Sequence, residues 1–255
     1  MRILECVPNI SEGRDPEKIS AIQEEFKNHP KVRLLDVSSD RDHSRSVFTF
    51  LGEPYDVKEA ALSFALRAID LIDMQGHQGG HPRIGAVDVV PFVPIQGVEM
   101  AYAVRIAHEF GKELGKCGVP VYFYEEAARS LGRRELPFIR KGEYEGLKEK
   151  MRDPDWKPDE GPDAFNPKSG ATVAGARFPL VAYNVNLKTK DLATAKEIAK
   201  KVRFKDGGFP CVRAMGVDLK DRGLVQVSMN LTNYRVTNIP VVYEFIKEEA
   251  RKKGI

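Results

Sequence analysis

The chain has three cysteines, Cys6, Cys117 and Cys211, and a single tryptophan, Trp156. No two cysteines form a CxxC pair, and an odd number argues against a disulfide framework. The expectation is three small buried thiols kept reduced in a cytoplasmic protein. Long apolar runs are missing too. None approaches the roughly 20 residues of a membrane helix. The opening MRILECVPNISEGR is too polar, and its apolar stretch too short, for a secretory signal. Charge of one sign is also lacking: 40 Lys and Arg stand against 37 Asp and Glu, a net charge of +3. With no aromatic-rich basic stripe either, the pattern excludes nucleic acid as the main partner. A membrane partner is excluded likewise. A locally basic pocket for a small anion stays open, because a balanced total can hide an uneven distribution.

What is present is an ordinary globular chain of 255 residues, long enough for one large or two small domains. Ile3 to Val7 reads as a strand stopped by Pro8-Asn9. Asp15-Pro16 starts a helix, Asp as N-cap and Pro in the first turn, that runs to about Lys27. Val32 to Val37 and Ser46 to Leu51 read as paired strands around a polar turn at Ser38 to Ser44. Asp56 to Ile72 is a helix with Val57, Ala60, Ala61, Phe64, Ala65, Ala68 and Ile69 on one face. Ala86 to Ile95 is the next strand. The order β-α-β-β-α-β is the split βαβ pattern of ferredoxin-like folds. A helix at Val98 to Lys116, a strand at Val119 to Tyr124 and a helical stretch at Pro137 to Lys150 follow. Residues 153 to 171, rich in Pro, Gly and acid, read as a linker or a functional loop. Leu180 to Leu187, Leu192 to Val202, Val212 to Leu219, Leu224 to Leu231 and Val241 to Lys253 then read β-α-β-β-α, with a hairpin around Asp221-Arg222-Gly223. The Val32-Arg33 and Val212-Arg213 regions share this pattern, a weak internal repeat.

The expected fold class is therefore α/β in the broad sense (α+β). It has two ferredoxin-like lobes, each a mixed or antiparallel sheet with helices on one face, and a ligand cleft between them. The division is 1–178, carrying the site histidine, and 179–255. The second lobe ends after a helix, one strand short of a full unit, so an unpaired sheet edge is expected.

One stretch stands out chemically: HQGGHPR at 77–83. Histidines four apart on a helix can share a metal, but two glycines and a proline oppose a helix here. The expectation is no metal. Solvated loop histidines are one alternative. The other is a turn that aims one imidazole at a cleft. Gly79 and Gly80 permit tight backbone, Pro82 holds His81 extended, and Arg83 disfavours the imidazolium. His81 is the better base, since Pro82 fixes its backbone. In DRDHSRS at 40–46, His43 and Arg45 are either parts of a solvated loop or anion ligands. Asn9, Ser11 and Arg14 lie where a strand meets a helix, a common place for ligand groups. In DEGPDAFNPKSGATVAGAR, Phe165 can pack on a flat ligand, and Gly161 and Gly170 allow close backbone approach.

These motifs, read together, resemble the formiminotransferase family: ECVPNISEGR, LLDV, RSVFTFLG, the GGHPRIGAVDVVPFVPI block, VPVYFYEEAAR, LPFIRKGEYEGL, DWKPDEGP, GATVAGAR and NVNL, in that order. The resemblance implies transfer of a formimino group from N-formimino-L-glutamate to tetrahydrofolate, the co-substrate, by a homodimer. It makes His81 the catalytic base. It makes the Gly161–Gly170 loop, with Pro162, Phe165 and Pro167, the folate contact. Asn9, His43, Arg45 and Arg83 are the expected remaining substrate contacts, the arginines for carboxylates. Processing of 5-formyltetrahydrofolate, or folate binding without turnover, are the competing readings.

Overall fold

The computed structural model describes residues 1–219 and 222–255, so Asp221 of the turn expected around Asp221-Arg222-Gly223 lies outside the described residues. The chain divides into two units, Met1–Arg177 and Phe178–Ile255.

In the first unit, β1 (Ile3–Cys6) and β2 (Asn9–Ile10) form one interrupted strand. The break falls at Val7-Pro8, where proline has no N–H for the ladder. Helix α1 (Pro16–Gln23) starts as the sequence predicts, with Asp15 accepting from the Glu17 and Lys18 amides. It tightens into a 3-10 turn over Glu24–Asn28. Next come β3 (Arg33–Asp40), β4 (Arg45–Gly52), α2 (Pro54–Leu71) and β5 (Val87–Gln96). β4 pairs with β3 on one side and with β1 and β2 on the other, and β5 closes against β1 and β2, all antiparallel. This is the ferredoxin-like order. The polar turn is shorter than expected. Pairing runs out to Asp40 and Arg45, helped by a 2.8 Å contact between the Ser39 and Ser46 hydroxyls.

The unit then grows beyond that plan. Helix α3 (Met100–Lys116) leads to β6 (Val121–Glu125), and α4 (Leu136–Ile139) and α5 (Glu143–Lys150) lead on to β7 (Thr172–Ala176). β7 inserts between β5 and β6, parallel to both. Sequence reading leaves Thr172–Ala176 in a loop, because Thr, Val, Ala and Gly carry little strand pattern. All five residues are buried. At Gly175 a Cβ would lie 2.4 Å from the Tyr124 ring, so the strand must be bare there. The 153–171 stretch is thus no linker between the units: it returns to the middle of the first sheet. The helical stretch expected over Pro137–Lys150 is broken at Gly142, whose φ is +89°.

Side chains alternate across this sheet. Val121 and Phe123 join the core under α1–α3, where Phe26, Phe48, Phe50 and Phe64 meet at 4.7–4.9 Å in their closest ring pairs. Tyr122 and Tyr124 face the other way, onto Ile139, Leu147 and Val173. A second, smaller layer therefore lies on that face.

The second unit holds β8 (Val181–Leu187), α6 (Leu192–Val202), β9 (Val212–Leu219), β10 (Leu224–Leu231) and α7 (Ile239–Arg251). Its sheet runs β8-β10-β9, antiparallel, the same relation that β1, β4 and β3 have. Among the described residues β8 pairs only with β10. The thiols differ from expectation. Cys6 is buried and Cys211 half-buried, but Cys117 is exposed just past the end of α3.

Candidate active site

The segment between α2 and β5 is stitched down along its whole length. Asp73 accepts from the Gln75 amide and starts a 3-10 turn, while Met74 donates its amide to Lys168 O at 2.9 Å. Gly79 then lies on the β3–β4 turn so closely that a Cβ would fall 2.3 Å from His43 O. The Gly80 amide reaches Asp42 O at 3.1 Å. Farther along, Ala86 N reaches Ser169 O at 2.8 Å and Ala171 N reaches Ile84 O at 3.0 Å. Ser11 Oγ donates to Gly85 O at 2.7 Å. His81 and Pro82 thus sit between two anchored ends, which holds their backbone without a helix or strand.

His81 is half-buried, its ring centroid 6.1 Å from that of His43. Burial first, then the charges of Arg45 and Arg140, push its pKa down to about 4. At neutral pH it is a free base. Arg45 Nε donates to Asn9 Oδ1 at 2.7 Å, and Nη2 donates to the same oxygen. Asn9 is buried and orients its amide by donating Nδ2 to Val7 O at 3.0 Å. Arg140, from the turn after α4, pairs through Nη2 with Asp88 Oδ2, and Asp88 Oδ1 accepts the Ile84 amide at 3.0 Å. Burial and the charge of Arg140 lower the Arg45 pKa, while Asp88 and Asp40 work against them. Only Arg140 is paired with Asp88, so the charges of both guanidiniums act on His81. His43 is tied to Asp40, Nδ1 to Oδ2 at 2.9 Å, and its backbone and ring hold that carboxyl below its ordinary range.

Arg83 lines the same crevice but is held by protein partners. Its side chain is 7% exposed, and every donor is engaged: Nε on His77 Nδ1, Nη1 on Glu143 and Glu145, Nη2 on Glu145 and His77 O. His77 Nδ1 accepts from Arg83, so Nε2 carries the proton and donates to Ser44 O at 3.2 Å. Both His77 nitrogens therefore serve protein partners. Burial lowers its pKa, which favours this neutral form. Among the described residues no three His, Cys, Asp or Glu gather as a metal site.

The 161–170 loop lies beside this crevice, not in it. Gly161 crosses the end of α3 at φ +85°, where a Cβ would come within 2.3 Å of Val119 O. Pro162 follows, half-buried. Phe165 packs 5.5 Å from the Tyr144 ring, and Tyr144 Oη donates to Pro167 O at 2.6 Å. Phe165 and Pro167 line a groove of about 440 Å³ together with Lys148 and Arg152. Gly170, at φ +63°, bridges directly to Gly85 and so ties the loop to the His81 segment. The structure brings Asn9, Ser11, His43, Arg45, His81 and Arg83 into one crevice, with His77 and Asp88 beside them. Sequence reasoning missed Asp88 and Arg140. Asp88 had a signal, an acid inside the apolar run AVDVVPFV. Arg140, in FIRKGEY, had none.

Fold and site define a class: an α/β protein with an unprotonated, half-buried imidazole between guanidiniums, suited to moving a proton on a small anionic molecule. Comparison with known proteins narrows this. Residues 3–177 match the formiminotransferase domain, N-terminal subdomain, and residues 182–255 match the formiminotransferase domain. The chain belongs to the formiminotransferase family. It is 45% identical over 258 residues to glutamate formimidoyltransferase of Thermoplasma acidophilum, covering 100% of this chain and 85% of that protein. It is 42% identical to glutamate formimidoyltransferase of Streptococcus pyogenes serotype M1 over the same shares. It is 48% identical to the formimidoyltransferase-cyclodeaminase of Sus scrofa, spanning 100% of this chain and 48% of that one. Among the described residues no helix is long and apolar enough to cross a membrane.

Proposed function

We propose that this chain is a glutamate formimidoyltransferase. It moves the formimino group of N-formimino-L-glutamate to tetrahydrofolate, giving 5-formiminotetrahydrofolate and L-glutamate. The observation that carries the reading is His81, held as a free base beside Arg45 and Arg140. The folate N5 attacks the formimino carbon, and His81 accepts the N5 proton as the new C–N bond forms. The same imidazolium then gives that proton to the glutamate nitrogen as the old C–N bond breaks.

Arg45, oriented by Asn9, takes a carboxylate of formiminoglutamate. His43 borders the same crevice and meets the rest of that substrate. The Gly161–Gly170 loop takes the folate, with Phe165 and Pro167 against its flat ring and Lys148 and Arg152 toward its anionic tail. Arg83, with all its donors spent, serves as a tie within the site instead of a ligand. The reading places the base in residues 1–178, and sets the enzyme in the cytoplasm as a homodimer, a state that sedimentation of the full chain checks.

The test is an assay with formiminoglutamate and tetrahydrofolate that follows glutamate release. The unmutated chain turns over. His81→Ala loses about 10²–10⁴-fold in kcat while folate binding persists. Folate binding without turnover in the unmutated chain sinks the reading.

A further inference from the structure

The turn that delivers Arg140 to the His81 site is held from below by one side chain. Lys150, at the end of α5, donates Nζ to Phe138 O at 3.3 Å, Ile139 O at 2.7 Å and Lys141 O at 3.1 Å. Those carbonyls bracket residue 140. The same Nζ stands 3.6 Å above the centre of the Trp156 ring. The other cations facing it are Lys141, from the same turn, and Arg133, from the 3-10 turn before α4. Arg133 is balanced by Asp159 at 3.2 Å and lies over the Trp156 ring as well. Arg140 reaches from this turn to Asp88, which holds the Ile84 amide three residues beyond His81.

We infer that Lys150 is a positioning residue for the His81 site: its ammonium gathers the carbonyls around Arg140 and so fixes where that guanidinium meets Asp88. A neutral amine has two hydrogens for three carbonyls and no charge for the indole face, so the grip loosens when the proton leaves. Burial, reinforced by Lys141 and Arg133, brings the Lys150 pKa down to about 8. The grip therefore weakens just above neutral pH.

Trp156 is the chain's one tryptophan, so its emission reports this contact directly. Emission of the unmutated full chain changes with a midpoint near pH 8, and that change is lost in Lys150→Met and Lys150→Arg. The second readout needs no turnover. Loosening Arg140 in Lys150→Met raises the His81 titration midpoint seen by NMR. The third rests on the transferase reading. kcat/KM falls on the same alkaline limb, and Lys150→Arg, whose cation persists, removes the limb. Lys150→Met lowers kcat/KM about 10- to 100-fold at pH 7, the scale of a small misplacement in a site. Emission that is flat from pH 7 to about 9.5, an unmoved His81 midpoint, or an alkaline limb kept in Lys150→Arg overturns the inference. No transfer by the unmutated chain overturns the transferase reading alone, since emission and NMR still decide the role of Lys150.

Discussion

Replacing Gly170 by Ala tests whether the Gly161–Gly170 loop and the His81 segment are one mechanical piece. A Cβ at Gly170 would sit 2.2 Å from Ile84 O and 2.8 Å from Gly85 Cα, both backbone atoms that cannot swing aside. The same change at Gly142 is the control. Its φ is +89°, also left-handed, but the nearest atom to a Cβ is 3.7 Å away. Both variants carry the left-handed penalty of about 1–2 kcal/mol, offset by about 0.4–1 kcal/mol of lost unfolded-state freedom. Gly170→Ala must also part the bridge flanked by Ala171 N to Ile84 O and Ala86 N to Ser169 O, at about 0.5–1.5 kcal/mol per hydrogen bond. With the overlap itself, the expected loss is about 3–5 kcal/mol, against about 1 kcal/mol for Gly142→Ala. For a unit of this size that is a fall in Tm of roughly 6–20 °C against roughly 2–4 °C. Urea and thermal unfolding followed by circular dichroism measure both. Folded Gly170→Ala also loses kcat, because the displaced partner is three residues from His81. Equal losses for the two variants would refute the reasoning.

The two arginines of the proposed site separate cleanly. Arg45→Met raises the KM for formiminoglutamate about 10- to 100-fold, the value of one charged hydrogen-bond pair. Arg83→Met destabilises the fold by about 1–3 kcal/mol and leaves that KM nearly unchanged; a KM effect equal to that of Arg45→Met contradicts the assignment. Thiol reagents label Cys117 in the native chain but reach Cys6 only after denaturant, because burial excludes reagent and pushes the Cys6 thiol well above its ordinary range. Mass spectrometry of the digested protein reads this directly, and early labelling of Cys6 counts against the core as described.

Most of the fold was legible because its signals are local. Asp15 before Pro16 gives the start of α1, and the spacing from Val57 to Ile69 gives the buried face of α2. In the second unit α6, β9 and β10 fall where periodicity puts them. What was lost is non-local. β7 has small residues whose strand conformation is imposed by β5 and β6 on either side, and nothing within Thr172–Ala176 announces it. The site divides the same way. His81 could be singled out because Gly-Gly and Pro act on adjacent backbone. Arg83 stands out beside His81 in the chain, but nothing near it announces its partners Glu143 and Glu145, 60 and 62 residues away. Arg140 was invisible for the matching reason, its partner Asp88 being 52 residues distant.

A base with a pKa of about 4 is weak for removing a proton at neutral pH, where the best base titrates near the working pH. The causes of the depression point to a resolution. Burial is the largest, but the next two are the charges of Arg45 and Arg140. An anionic substrate placed on Arg45 cancels part of exactly that positive field. In the proposed reaction binding then raises the basicity of His81 at the moment the proton must move, and the free enzyme is spared a charged imidazole. The sign is testable. His81 is unprotonated above about pH 4 in the free enzyme, so kcat/KM, which reports free enzyme, falls only as pH drops toward 4. kcat, which reports the complex, must fall at higher pH. Arg45→Met narrows the gap by raising the free-enzyme value. Coincident acid limbs, or a kcat limb below that of kcat/KM, mean that substrate charge does not tune the base.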